Sequence, residues 1–177
     1  MNLMVRDACR DGLDRLGGEI VETSQDRFFQ AVAMRQIPRI RVAGIVVEDG
    51  KVLVQQPADD PSSCYAFIGG EYETGDTFET RLRKEFEEET NARVREARYL
   101  FCVENHFRYR GQLIQQAEHY FLVSLDRHDV VSRETHLKQY WLPLSTLADA
   151  DLRPSMVRDA VARGSYLTDR HLVQMPD

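Results

Sequence analysis

Residues 69–94 constrain this chain more than any other stretch. They open as Gly69-Gly70-Glu71-Tyr72-Glu73-Thr74-Gly75-Asp76 and continue from Thr77 to Val94, with Lys84-Glu85-Phe86-Glu87-Glu88-Glu89 inside. The glycines and acids predict a glycine-rich loop that turns into a helix. Asp76 and Thr77 are suitable caps, because their oxygens accept the free N–H groups of a first turn. Phe78, Leu82 and Phe86 recur at i, i+4 and i+8, which gives the helix one apolar stripe. At about 100° per residue, Glu85, Glu88 and Glu89 share a sector beside that stripe. Carboxylates at the edge of a buried helix repel one another and lose hydration, so they require a cation. An all-oxygen set suits Mg²⁺, Mn²⁺ or Ca²⁺ rather than zinc. Alone, such a glutamate run is an ordinary solvated helix face, and a Gly-Gly pair is an ordinary turn. It is their ordered combination that points to a site.

That combination resembles the Nudix hydrolase box: Gly, five residues, Glu, seven residues, Arg-Glu, an aliphatic residue, any residue, Glu-Glu, any residue, Gly and an aliphatic residue. From Gly70 the spacing is intact. Asp76 stands for the first Glu, Lys84-Glu85 for Arg-Glu, Phe86 for the aliphatic residue, Glu88-Glu89 for the acid pair, Asn91 for the Gly and Ala92 for the last position. Lys84 keeps the charge of arginine but not its bidentate fork. Asn91 tolerates the left-handed backbone that a helix terminus often needs.

A length of 177 residues fits one domain with a sizeable core. The net charge of −6 argues against general nucleic-acid binding and against a membrane surface. Anionic substrates remain compatible with it, because a bound divalent metal carries the positive charge to them. Cys9, Cys64 and Cys102 lack metal-ligand spacing and are odd in number, which reads as free thiols in a reducing, cytoplasmic setting. There is no apolar run long enough to cross a bilayer and no apolar signal-peptide core near Met1.

Residues 1–36 read as an N-terminal helical extension. One helix is expected around Met4, Ala8, Leu13 and Leu16, and a second, capped by Ser24, over 25–35. Both are expected to pack on the core or on a partner chain, for which a homodimer is one arrangement. The domain proper is placed at 37–177. A hairpin is expected around Glu48-Asp49-Gly50-Lys51, a short strand over 65–68 and the box helix over about 76–91. A second long hairpin turns at Arg110-Gly111, and a strand follows around Trp141. A last helix begins at Pro154 and stops at Gly164, with a small strand near His171. Helices separated by strand pairs predict an α/β fold, an α/β/α sandwich around a mixed central sheet. The resemblance implies the same fold.

The resemblance also implies a reaction and a site. The reaction is hydrolysis of a diphosphate linkage in a nucleoside diphosphate derivative, with Mg²⁺ or Mn²⁺ and water attack on phosphorus. Glu85, Glu88 and Glu89 would hold metal, with the Gly69 carbonyl as a further ligand, and Glu88 is also a candidate base. Lys84 would steady the carboxylates by pairing with Glu88 or a neighbouring acid, while Gly70, Gly75 and Asp76 support the loop-to-helix corner. Glu104 and Glu118 are candidates for a further acid from outside the box, with Glu104 equally readable as a salt-bridged structural residue of its strand. Many relatives carry His-Glu where Gln115-Gln116 stands, and Ile68 occupies a position that is commonly Pro. Arg81, Phe107 and Tyr109 are candidate substrate contacts, with Arg81 equally readable as a plain surface arginine, and Phe107 and Tyr109 as packing. His119 is a weaker candidate, expected to face solvent or a cleft wall. Lys84, Asn91 and Gln116 motivate a second reading, a weakly active or inactive nucleotide sensor or interaction module on the same fold.

Overall fold

The computed structural model describes residues 22–35, 37–168 and 171–176. The helix expected around Met4 to Leu16 lies outside them. The elements are α1 (Ser24–Met34), β1 (Arg39–Ile45), β2 (Val47–Glu48), β3 (Lys51–Pro57), β4 (Tyr65–Ala66), β5 (Ile68–Glu71), α2 (Phe78–Glu89), β6 (Val94–Tyr109), β7 (Gln112–Leu125), β8 (Leu137–Pro143), β9 (Leu152–Arg153), α3 (Ser155–Ala162) and β10 (His171–Gln174). Among the described residues no helix is long and apolar enough to cross a membrane.

The strands form two sheets. One is mixed, in the order β10-β6-β7-β1-β5, with β1 parallel to β7 and antiparallel to β5. The other runs β2-β3-β4-β9, and β8 pairs with β3. Alternation along β1 divides the interior into two halves. Val42 and Val46 pack with Leu82 and Phe86 of α2, while Ala43 and Ile45 pack with Tyr120, Leu147 and Val157 on the α3 side. The α/β/α sandwich with a mixed sheet is therefore present.

Two sequence expectations change at the glycines. The strand placed at 65–68 is two strands, with β4 in the second sheet and β5 in the first, separated by the buried Phe67. Gly69 and Gly70 are not loop residues. They sit inside β5, opposite Ala43 and Val42 of β1. The chain leaves the sheet only after Glu71, and Thr77 then caps α2 by accepting from the Thr80 N–H. One cysteine expectation also changes: Cys102 is a free thiol, but Cys64 is disulfide-bonded.

Helix α1 starts at a capping box formed by Thr23 and Asp26. It is tied to the β6–β7 turn, where the Tyr109 hydroxyl donates to Asp26 and Arg110 pairs with Asp26 at 2.5 Å. Burial opposes the charge on Asp26. The hydrogen bonds from Tyr109 and Thr23, with the Arg110 charge, outweigh it and hold the carboxyl below its usual value of 3.8. The ionised form is thus the one that the fold binds. Its contribution is present above about pH 4 and disappears as pH falls through the lowered folded value. The stability gap between the native chain and Asp26→Asn is expected to close on acidification below about pH 4, read as denaturation midpoints along a pH series.

Candidate active site

The site begins with the fit of α2 against β5. A side chain on Gly70 would place its Cβ 1.9 Å from Glu85 Oε1, so only glycine leaves room for that carboxylate beside the sheet. The same logic explains Phe86 in place of an aliphatic residue. A Cβ on Gly44 would lie 2.7 Å from Phe86 Cε2, so the small residue on β1 makes space for the ring.

Glu85 is buried and Glu88 is exposed. Arg81 lies between them. It donates to Glu85 through Nε at 2.6 Å and to Glu88 through Nη2 at 3.1 Å, and pairs with Glu73 at 3.3 Å. Burial opposes the charge on Arg81, but Glu85, Glu88 and Glu73 outweigh it and raise its pKa. Burial pushes the Glu85 carboxyl up, with Arg81 opposing.

Glu89 has no such partner. Burial, then the Glu85 charge, push its carboxyl up to about 7, with a hydrogen bond from Gln55 opposing. Its Oε2 is buried without any hydrogen-bond partner. A buried carboxyl with an orphaned oxygen is costly unless it is protonated or meets a cation. The donor set of Glu85, Glu88 and Glu89 is therefore suited to a hard divalent ion, and the orphaned Glu89 oxygen fits one. Among the described residues, no three acidic, histidine or cysteine side chains converge closely enough to hold a metal ion as they stand. Arg81 supplies the positive charge at Glu85 and Glu88.

The contacts decide two assignments that the sequence left open, at Lys84 and Glu104, and correct a third, at Asn91. Lys84 pairs with Asp76 at 2.7 Å rather than with Glu88, so it braces the corner before the helix, and it is Arg81 that reaches Glu88. Asn91 does not adopt a left-handed backbone; Asp49 and Arg110 are the non-glycine residues at positive φ among those described. Instead its amide clasps the 129–131 loop, donating to Asp129 O at 3.1 Å and accepting from the Val131 N–H at 3.0 Å. Glu104 lies on the exposed face of β6 and pairs with His171 at 2.9 Å. Strand alternation turns it away and brings its neighbour Asn105 into the cleft.

Glu118 does reach the cleft, 2% exposed, but its oxygens are occupied. Asn105 and Gln116 donate to Oε1 at 2.8 and 2.6 Å, Tyr120 donates to Oε2 at 2.9 Å, and Arg41 lies 3.5 Å from Oε2. Gln116 also accepts from Arg39 at 3.3 Å, while Gln115 points the other way, to His106. The Gly69 carbonyl faces Arg41 Nη2 at 2.9 Å. Ile68 is a fully buried core residue. Gly75 lies in the exposed turn before α2, at positive φ. His119 is stacked on Phe78, with ring centroids 3.9 Å apart, outside the cleft.

The cleft itself has a volume of about 350 Å³. It brings together Glu89, Glu118, Arg39, Arg41, Gln55 and Asn105, with Phe107 farther along. Tyr109 is not among its walls; its hydroxyl is committed to Asp26. Arg39 is 4% exposed, and burial beside Arg41 lowers its pKa to about 10, with Glu71 opposing. Both arginines escaped the sequence reading, although a signal was present. They stand at i and i+2 on a strand whose same face continues as Ala43 and Ile45, a place where charge has a reason.

The NUDIX domain family matches residues 38–160, more than half of the chain. The chain belongs to the NUDIX family. Solved structures agree on the Nudix fold. The MutT protein of Bacillus halodurans is 16% identical, with a TM-score of 0.60 over 76% of this chain and 86% of its own. The MutT NUDIX hydrolase of Burkholderia pseudomallei is 20% identical, with a TM-score of 0.57 over 72% and 98%. An ADP-ribose pyrophosphatase from Streptococcus suis is 14% identical, with a TM-score of 0.57 over 77% and 99%. No curated protein sequence matches. At these identities the structural likeness carries the fold alone.

Proposed function

We propose that this Nudix chain is a Mg²⁺- or Mn²⁺-dependent pyrophosphohydrolase that cleaves the diphosphate linkage of a nucleoside diphosphate derivative by water attack on phosphorus. The observation that carries this reading is Glu89. Its buried, unpartnered oxygen lies beside Glu85 and opens on the same cleft as Arg39 and Arg41. Among the structural relatives, one is named a MutT NUDIX hydrolase and another an ADP-ribose pyrophosphatase, which accords with this reading.

In this reading Glu85, Glu88, Glu89 and the Gly69 carbonyl hold the metal. When bound, such an ion neutralises phosphate oxygens and lowers the pKa of a coordinated water. The rest is the work of the chain. Arg39 and Arg41 bind phosphate oxygens from β1. Glu88, which keeps contact with solvent, takes the proton of the attacking water. Glu118 orients Arg41 and is not itself a ligand. Lys84 and Asp76 fix the start of α2. The domain is assigned to 37–177, with residues 1–36 as an addition to it.

A catalytically weak nucleotide sensor is the second reading, and Arg81 favours it, because that guanidinium already occupies Glu85 and Glu88. A panel of nucleoside diphosphate derivatives, assayed with Mg²⁺ and with Mn²⁺, separates the two. Release of phosphate or a mononucleotide from at least one member, lost with chelator, is expected. Tight binding of a member with no turnover under either metal would replace the hydrolase reading with the sensor.

A further inference from the structure

Helix α1 precedes the residues matched by the family, 38–160, yet it supplies part of the wall of the cleft that Glu89 lines. It is pinned on two sides. Phe29 rests on Tyr109 and Phe107, with ring centroids 4.6 and 5.4 Å apart, and Asp26 holds the β6–β7 turn. On the other side Ser24 donates to Asp59, through its hydroxyl at 2.9 Å and its backbone N–H at 3.0 Å.

Phe28 is not consumed by this packing. It lines the cleft, remains 46% exposed, and carries the Arg39 guanidinium 4.6 Å from its ring centroid. An aromatic ring held at a cleft wall, with a cation on one face, is a platform for another flat group.

We infer that α1 forms the wall that recognises the base of the substrate, with Phe28 as its stacking surface; this rests on the nucleoside diphosphate reading above. The order of groups supports it. Arg39 lies against Phe28, while Arg41, two residues further along β1 and roughly 7 Å away at strand rise, contacts Gly69 and Glu118. Aromatic platform, cations and carboxylates thus follow the sequence of base, phosphates and reacting phosphorus. Gln55, Gln56 and Asn105 also line the cleft. Gln56 and Asn105 are already held, by Pro61 O and Ser63 O and by Glu118, so the preference for a flat heterocycle rests on the Phe28 ring and the Arg39 guanidinium against it.

The test uses the full chain and calorimetric titration with the four common nucleoside 5′-monophosphates, which contain no diphosphate linkage, alongside inorganic phosphate. The native protein is expected to bind at least one monophosphate more tightly than phosphate. Phe28→Ala and Phe28→Leu should each weaken that nucleotide roughly 3- to 10-fold, the scale of one aromatic contact, and leave phosphate unchanged. Phe28→Tyr should restore the native affinity. Native-like nucleotide binding by Phe28→Leu overturns the inference. So does a parallel loss of nucleotide and phosphate, or native protein that binds no monophosphate better than phosphate. Metal-dependent hydrolysis without base-selective binding removes the α1 wall and keeps the hydrolase. Base-selective binding without hydrolysis does the reverse.

Discussion

Glu89→Gln is expected to reduce metal-dependent turnover by roughly 10²–10³-fold, the scale on which one electrostatic group at a reacting centre acts, while the fold stays intact. The asymmetry follows from the environment of Glu89. Burial, then the Glu85 charge, push its carboxyl up to about 7, with a hydrogen bond from Gln55 opposing, and its Oε2 has no hydrogen-bond partner. Glutamine keeps the shape and removes the charge that a cation would use. It also removes the cost of burying that charge, so the metal-free variant should unfold no earlier than the native chain. Manganese titration followed by electron paramagnetic resonance, together with a thermal melt, reads both effects. Glu104→Gln is the matched control, because Glu104 pairs with His171 on the opposite face of β6. Equal turnover in Glu89→Gln and native protein would place the metal site elsewhere.

The second large effect concerns the fit of α2 on the sheet. Phe86 is fully buried, and Phe86→Ala should cost about 3–5 kcal/mol through lost burial and the cavity left behind. Gly44→Ala should cost about 1–3 kcal/mol by overpacking, because the new Cβ would sit 2.7 and 2.9 Å from ring atoms of Phe86 and 3.1 Å from Val123 Cγ2. In a Phe86→Leu background the same alanine should be neutral or slightly stabilising, since it restricts the unfolded chain by about 0.4–1 kcal/mol. Urea denaturation of the four proteins measures the coupling. Equal costs for Gly44→Ala in both backgrounds would mean that the ring is not what this glycine accommodates.

These two sites mark how far the sequence was legible. The i, i+3, i+4 spacing of Glu85, Glu88 and Glu89 is a local property of a helix, so it could be read from the chain alone. So could the two hairpins, whose turn residues are local, and the α/β/α layering. Contacts between distant residues could not be read. Lys84 and Arg81 are both cations on the same helix, and only the path of the chain into α2 sends Lys84 to Asp76 and leaves Arg81 for Glu85 and Glu88. Glu104 and Asn105 differ by one position on β6, and the register of the sheet determines which of them faces the cleft. Gly69 and Gly70 read as a loop because glycine punctuates chains. Their role inside β5 comes from what packs against them.

The sequence by itself determined the groups on offer: an acidic helix behind two glycines, its three glutamates at helical spacing, and an α/β chain to carry them. Tertiary structure alone decided which charges meet and what closes the cleft. Arg39 and Arg41 enter it from β1, Arg81 neutralises two of the three box glutamates, and α1 adds Phe28 and Phe29 from outside the family's residues. The physical reason is range. Helix periodicity acts over a few residues and is written locally. The energies of ion pairs and aromatic contacts depend on distance and burial, which side chains far apart in sequence acquire only when the sheets bring them together.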